Sequence, residues 1–150
     1  MSLFQPKDPD FETRMRASFP LQRLLMTLGA RMGHVAPGET DIEIPYREDI
    51  TQPNGYLHGG TLAAAADTAC GYAAFTLVPL ECAILTAEFK INFVSPAIGE
   101  KIIAKGRVLK PGRTLTACVC DVFAVDQEGN EKIVAAAQAT IMTVEMRGRF

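Results

Sequence analysis

Metal-binding and redox signatures are missing from this chain. Its four cysteines, Cys70, Cys82, Cys118 and Cys120, form no C-x-x-C pair, and His34 and His58 are the only histidines. A structural zinc site needs grouped Cys and His ligands, so none is expected and no cofactor is implied. Free, buried thiols are the expected state of the cysteines. An excess of charge of one sign is also missing: 15 Lys and Arg stand against 17 Asp and Glu, a net charge of −2. Nucleic-acid binding, which needs a basic footprint, is therefore not expected. A local basic cluster could still hold an anionic ligand. The stretch from Met1 to Pro9 lacks the basic and apolar regions of a secretory leader, so a cytoplasmic location is expected. No run reads as a membrane span. Gly59 to Val78 has the length, but Ala, Gly and Thr dominate it and Asp67 sits near its middle, with no basic flank.

What is present suits one folded domain, residues 1–150. The length, 48% hydrophobic and 21% charged residues are those of a chain with a real core. Residues 1–30 read as an N-terminal helical extension. Pro20 can open a second helix there, with Leu21, Leu24, Leu25, Leu28 and Met32 at helical spacing. Val35 to Pro45 reads as extended, with Ile42 and Ile44 alternating with Asp41 and Glu43. A polar loop with the turn Pro53-Asn54-Gly55 follows. Gly59 to Val78, closed by Pro79, is the longest candidate helix, and being apolar all round it should be buried on most sides. Four strands come next. Ala87, Phe89, Ile91 and Phe93 alternate with Glu88, Lys90 and Asn92 in the first, and Lys101–Leu109, Thr114–Val125 and Ile133–Val144 are the others. Short turns between them imply an antiparallel meander. The expected class is α+β, an antiparallel sheet wrapped around one long central helix.

The chemistry concentrates at that helix. Asp67 is the only charged residue from Gly59 to Val78, and a buried carboxylate is costly unless it is paired or reactive. Gly60, Ala64, Asp67, Gly71 and Ala74 form a stripe of small residues around it. Gly59 and Gly60 open the helix, where free N–H groups and a positive partial charge suit a carbonyl oxygen gaining negative charge. Asp67 lies eight residues beyond Gly59, ~12 Å along one helix at ~1.5 Å per residue. One small carbonyl cannot touch both. If both serve one reaction, the Asp must come from a second subunit.

His58-Gly59-Gly60 with Asp67, the strand Thr86 to Phe93 leading into Ser95-Pro96-Ala97, Gly106, and the Gly112-Arg113-Thr114 turn together resemble the hotdog-fold thioesterases, and among them the PaaI-like branch. The resemblance implies hydrolysis of an acyl-CoA, or of an acyl-carrier-protein thioester. The Gly59 N–H, with Gly60 beside it, would polarise the carbonyl. Asp67 from the partner subunit would act as general base or as nucleophile. Gln52 matches the family's side-chain amide near the reacting group, with Asn54 as a competitor. Thr86 matches a hydroxyl that bonds the acid or the water, and His58 shapes the loop and helix start. Lys110 and Arg113, ahead of Lys90, Arg147 and Arg149, are candidates for the CoA phosphates. Leu57, Leu62, Tyr72 and Phe75 are candidate pocket walls. The implied assembly is a homodimer, or a tetramer made of two dimers. Two other readings are a non-catalytic acyl-CoA-binding protein and an enoyl-CoA hydratase or dehydratase on the same fold.

Overall fold

The computed structural model describes residues 3–146. A six-stranded antiparallel sheet curls around the helix α3, Gly59–Phe75, whose 17 residues span ~25 Å. Leu62, Ala65, Ala66, Ala69, Cys70 and Ala73 of α3 are fully buried against the sheet. The strands are β1 (Arg31–Ala36), β2 (Glu39–Pro45), β3 (Cys82–Phe93), β4 (Lys101–Lys110), β5 (Leu115–Val125) and β6 (Glu131–Glu145). Their inward positions carry Ile42 and Ile44, Ile102 and Ala104, Cys118, Cys120 and Val122, and Ala135, Ala137, Ala139 and Ile141. The small residues make room for the helix. Gly106 on β4 lies so close to α3 that a Cβ there would collide with the Ala69 backbone.

The end of α3 comes three residues earlier than its sequence suggests. Pro79 pushes the preceding residues out of the α conformation, and Leu77 and Val78 fall into short i→i−3 bonds to Ala74 and Phe75. Carbonyls at this end are also bonded by Arg14 from the helix α1, Phe11–Ser18. Its guanidinium donates to the carbonyls of Pro79 (2.9 Å), Val78 (3.0 Å) and Phe75 (3.2 Å) and lies 4.4 Å from the centre of the Phe75 ring. Buried Asp8 stands 3.3 Å from Arg14 Nε.

The second N-terminal helix is much shorter than its leucine spacing implies. A 3-10 turn at Phe19–Leu21 is followed by α2, Arg23–Thr27, and Gly29 then turns the chain at φ +72°. Met32 belongs to β1, not to a helix. The extended segment is likewise two strands, divided at Pro37-Gly38, with Gly38 at φ +82°.

The strand order is β1-β2-β4-β5-β6-β3. β4, β5 and β6 form the expected meander, but β3 does not pair with β4. Both sides of β4 are filled, by β2 and β5, so β3 takes the free side of β6. The connection from β3 to β4 crosses the start of α3, where the Leu57 N–H donates to the Ala97 carbonyl at 2.9 Å. That crossing builds the wall of the cleft described next.

Candidate active site

Gly59 is the first residue of α3, and His58 is its N-cap. The extended backbone of His58 (φ −62°, ψ 139°) turns its ring back over the helix, and Nδ1 accepts the Gly60 N–H at 2.8 Å. A neutral ring that accepts at Nδ1 carries its proton on Nε2. The Gly60 N–H, expected as a second donor to substrate, is thus already engaged. The Gly59 N–H has no acceptor among the described residues.

Gly59 lines an open cleft of about 490 Å³ with Gln52, Tyr56, Leu57, Leu62, Phe93 and the Val94–Ala97 segment. Small-ligand sites span roughly 300–1,000 Å³, so the volume is adequate. Gln52 is half-buried and fixed by its own loop: its Oε1 accepts the Asn54 N–H at 2.6 Å, and its backbone N–H donates to Tyr56 O at 2.8 Å. The side-chain NH₂ of Gln52 remains to donate. Asn54 is exposed and outside this lining, so Gln52 is the amide placed at the cleft.

Asp67 sits two turns further along α3 and is half-buried, not sealed in the core. Its carboxylate accepts a 2.7 Å hydrogen bond from the Thr86 hydroxyl. A bulge in β3 makes that contact. Thr86 pairs with Ile141 and Glu88 with Thr140, which leaves Ala87 extra. The bulge reverses the alternation, so Ile84 and Thr86 before it share the helix-facing side with Phe89 and Ile91 after it. Regular alternation would put Thr86 with Glu88 and Lys90 on the outer face. The small-residue stripe splits too: Gly71 and Ala74 are buried, Ala64 is half-buried and Gly60 is exposed.

The basic candidates lie elsewhere in the protomer. Arg113 is exposed in the β4–β5 turn and lines a cleft with Lys7, Leu77 and Pro79 at the C-terminal end of α3. Lys110 is exposed at the end of β4, and Lys90 is exposed on the outer face of β3. Arg147 and Arg149 lie outside the described residues. Tyr72 and Phe75 are not cleft walls. Tyr72 packs edge-on against Phe19 and Phe75, with its hydroxyl 2.9 Å from Ser18 Oγ, at the far end of the helix. Burial pushes the Cys118 thiol up to about 12. Cys70, hydrogen-bonded to Cys120 and buried, is raised further. Among the described residues, no group of three His, Cys, Asp or Glu converges as a metal site, and no helix is long and apolar enough to cross a membrane.

The roles of Phe93, Tyr56 and Ser95 in the cleft were not read from sequence. The end of a strand beside a Ser-Pro turn is the only local signal that could have pointed to them.

Residues 54–130 match the thioesterase superfamily. A crystal structure of a thioesterase family protein from Silicibacter pomeroyi superposes with a TM-score of 0.87 at 41% identity, covering 90% of this chain and 98% of that one. The Escherichia coli PaaI protein, from the phenylacetic acid degradation operon, shares the fold with a TM-score of 0.79 at 19% identity, covering 90% of this chain and 94% of its own. The human protein named acyl-coenzyme A thioesterase 13 is 29% identical over 111 residues, 70% of this chain and 73% of its own. Against three archaeal relatives the chain spans 62%, 72% and 64% of their lengths.

Proposed function

This chain belongs to the thioesterase superfamily, and on that footing we propose that it hydrolyses an acyl-CoA thioester to a free acid and coenzyme A. The observation that carries the reading is a pairing of opposite tools on one helix. A hydrogen-bond donor without an acceptor, the Gly59 N–H, stands at an apolar cleft. A carboxylate oriented by a hydroxyl, Asp67 on Thr86, stands two turns away.

The thioester carbonyl oxygen accepts the Gly59 N–H, with the Gln52 NH₂ beside it. As the tetrahedral intermediate forms, the oxygen's negative charge meets the positive end of α3. Asp67 of the second subunit takes a proton from water, whose oxygen bonds to the carbonyl carbon. The C–S bond then breaks and the thiolate leaves. A thiol of ordinary pKa near 8.5 needs little protonation to depart, which suits a site without a dedicated acid. Direct attack by Asp67, through an anhydride that water then opens, uses the same groups. Nδ1 of His58 is occupied as a helix cap, which supports hydrolysis over a hydratase reading with His58 as base.

The edge of β3 supports a two-subunit site. This 12-residue strand closes the sheet on one side, with Leu85 53% and Phe93 54% exposed. A long unpaired strand edge invites pairing with another strand. Asp67 is held beside Thr86, and Gly59 lies beside Phe93. Antiparallel pairing of two copies about the middle of β3 therefore carries each Asp67 toward the other subunit's Gly59. Arg113 and Lys110 reach the substrate phosphates from the partner by the same two-fold.

Thiol release from a panel of acyl-CoA esters tests the chemistry, with Asp67→Asn expected to lose about 10²–10⁴-fold in kcat. Gly59→Pro deletes the N–H at a position where proline suits a helix start, and should cost about 10²–10³-fold. Dimers re-formed from an equal mixture of these two inactive variants contain one intact site in each mixed dimer. They should recover about a quarter of wild-type activity. No recovery on mixing would place both groups' work within one subunit and sink the shared site.

A further inference from the structure

We propose that Phe93 is the specificity-determining residue of the cleft, and that it selects an apolar, uncharged acyl group. The proposal rests on the thioesterase reading above. A Cβ built on Gly59 would lie 3.1, 3.3 and 3.6 Å from three carbons of the Phe93 ring, so the ring covers the Cα of the residue that carries the free N–H. In this assignment, a carbonyl bound at that N–H runs its acyl chain past the ring. The rest of the wall is mainly apolar, Tyr56, Leu57, Leu62, Val94, Pro96 and Ala97 with the uncharged Gln52 and Ser95, and no Asp, Glu, Lys or Arg of the same chain lines the cleft.

The ring is placed firmly but not locked. Val94 and Ser95, directly after it, both donate backbone N–H groups to the Val134 carbonyl, at 2.9 and 3.3 Å, which fixes the backbone at the strand end. The side chain itself is 54% exposed. It is therefore an adjustable wall on a fixed base, and the part of the ring that strand pairing leaves open is available to a ligand. A terminal carboxylate on the acyl group would lose its hydration here and find no cation in return. An aliphatic or aryl group would gain contact with the ring instead.

The experiment measures kcat and KM of wild type, Phe93→Ala and Phe93→Leu on hexanoyl-, decanoyl-, phenylacetyl- and succinyl-CoA, with a thermal melt of each variant. Wild type should turn over hexanoyl-CoA at least ~100-fold better in kcat/KM than succinyl-CoA. One misfitted apolar group shifts specificity by ~10–200-fold. Phe93→Ala should therefore change the ratio of decanoyl or phenylacetyl to hexanoyl turnover by at least ~10-fold, mainly through KM. Phe93→Leu should fall between, and it stands in for the alanine variant if that fails to fold. If Phe93→Ala lowers every ester by one common factor, or succinyl-CoA is a good substrate, the assignment of Phe93 is overturned while the thioesterase reading stands. If wild type cleaves none of the esters, both fall.

Discussion

His58 offers a sharp test of how the helix start is built. Its Nδ1 accepts the Gly60 N–H at 2.8 Å, an N-cap bond to the second helical residue. Asn Oδ1 sits the same number of bonds from the backbone as His Nδ1, and Asn is among the best N-cap residues. His58→Asn should therefore keep the cap while deleting the imidazole, and His58→Ala should lose both. Losing a cap costs about 0.5–2 kcal/mol. In a chain of this size, each kcal/mol lowers Tm by about 2–4 °C. The alanine variant should thus melt roughly 1–8 °C lower, and the asparagine variant within a degree or two of wild type. Activity should follow the same order. A loosened start displaces the Gly59 N–H, and a shift near 1 Å costs up to about a hundredfold, so His58→Ala should fall by about ten- to a hundredfold in kcat. His58→Asn should stay within about fivefold, since a ring that only caps the helix transfers no proton. The assay is a urea or thermal melt read by circular dichroism beside thiol release under saturating substrate. Equal losses of about 10²–10⁴-fold in both variants, with an unchanged melt for Asn, would refute the capping role and make His58 the base.

Five further outcomes are expected. Thr86→Val removes the 2.7 Å bond to Asp67, and should lower kcat by about 5–30-fold with little change in KM, since a hydrogen bond to a charged group contributes about 1–2 kcal/mol at a half-exposed site. Arg14→Met leaves Asp8 buried without its cation and strips the end of α3, so it should cost about 3–5 kcal/mol in a urea melt; adding Asp8→Asn should recover part of this, and a loss below 1 kcal/mol would contradict the cap. Gly106→Ala drives a methyl into the Ala69 backbone and should cost at least about 1–3 kcal/mol, with no relief from Ala69→Gly because backbone atoms are struck. Of the thiols, half-buried Cys82 should react with an aromatic disulfide reagent at pH 8 in the folded protein, and all four should react in denaturant. Cys118, pushed to about 12 from 9.0, keeps its proton in the folded state above pH 9 while the unfolded chain releases it, so stability should fall by about 1.4 kcal/mol per pH unit from this group between pH 9 and 12.

The central helix was legible in the sequence because its signal is local and redundant. A long run rich in alanine has high helix propensity, a glycine pair opens it, and Pro79 closes it. Strands β2 to β6 were legible for the same reason, since alternation and Gly or Pro turns are written in neighbouring residues, whereas β1 was not separated from the segments beside it. The second N-terminal helix was not. Leu21, Leu24, Leu25 and Leu28 keep helical spacing, yet the turn at Gly29 and the pairing of β1 with β2 outweigh a propensity difference of tenths of a kcal/mol per residue. The place of β3 was not legible either, because which strand edge is free depends on where every other strand has gone.

By itself, then, the sequence determined the ingredients: one helix that must be buried, a carboxylate within it, two glycines at its start, and enough alternating strands to cover it. The tertiary structure alone decided how they meet. The bulge at Ala87 turns Thr86 toward Asp67, and nothing in the alternation of residues 84–93 announces an inserted residue. The crossing of Val94 to Glu100 over the helix start puts Phe93 against Gly59. The Arg14 side chain reaches three carbonyls more than 60 residues away. These contacts depend on register and on distances across the fold, which sequence patterns of period 2 or 3.6 do not encode.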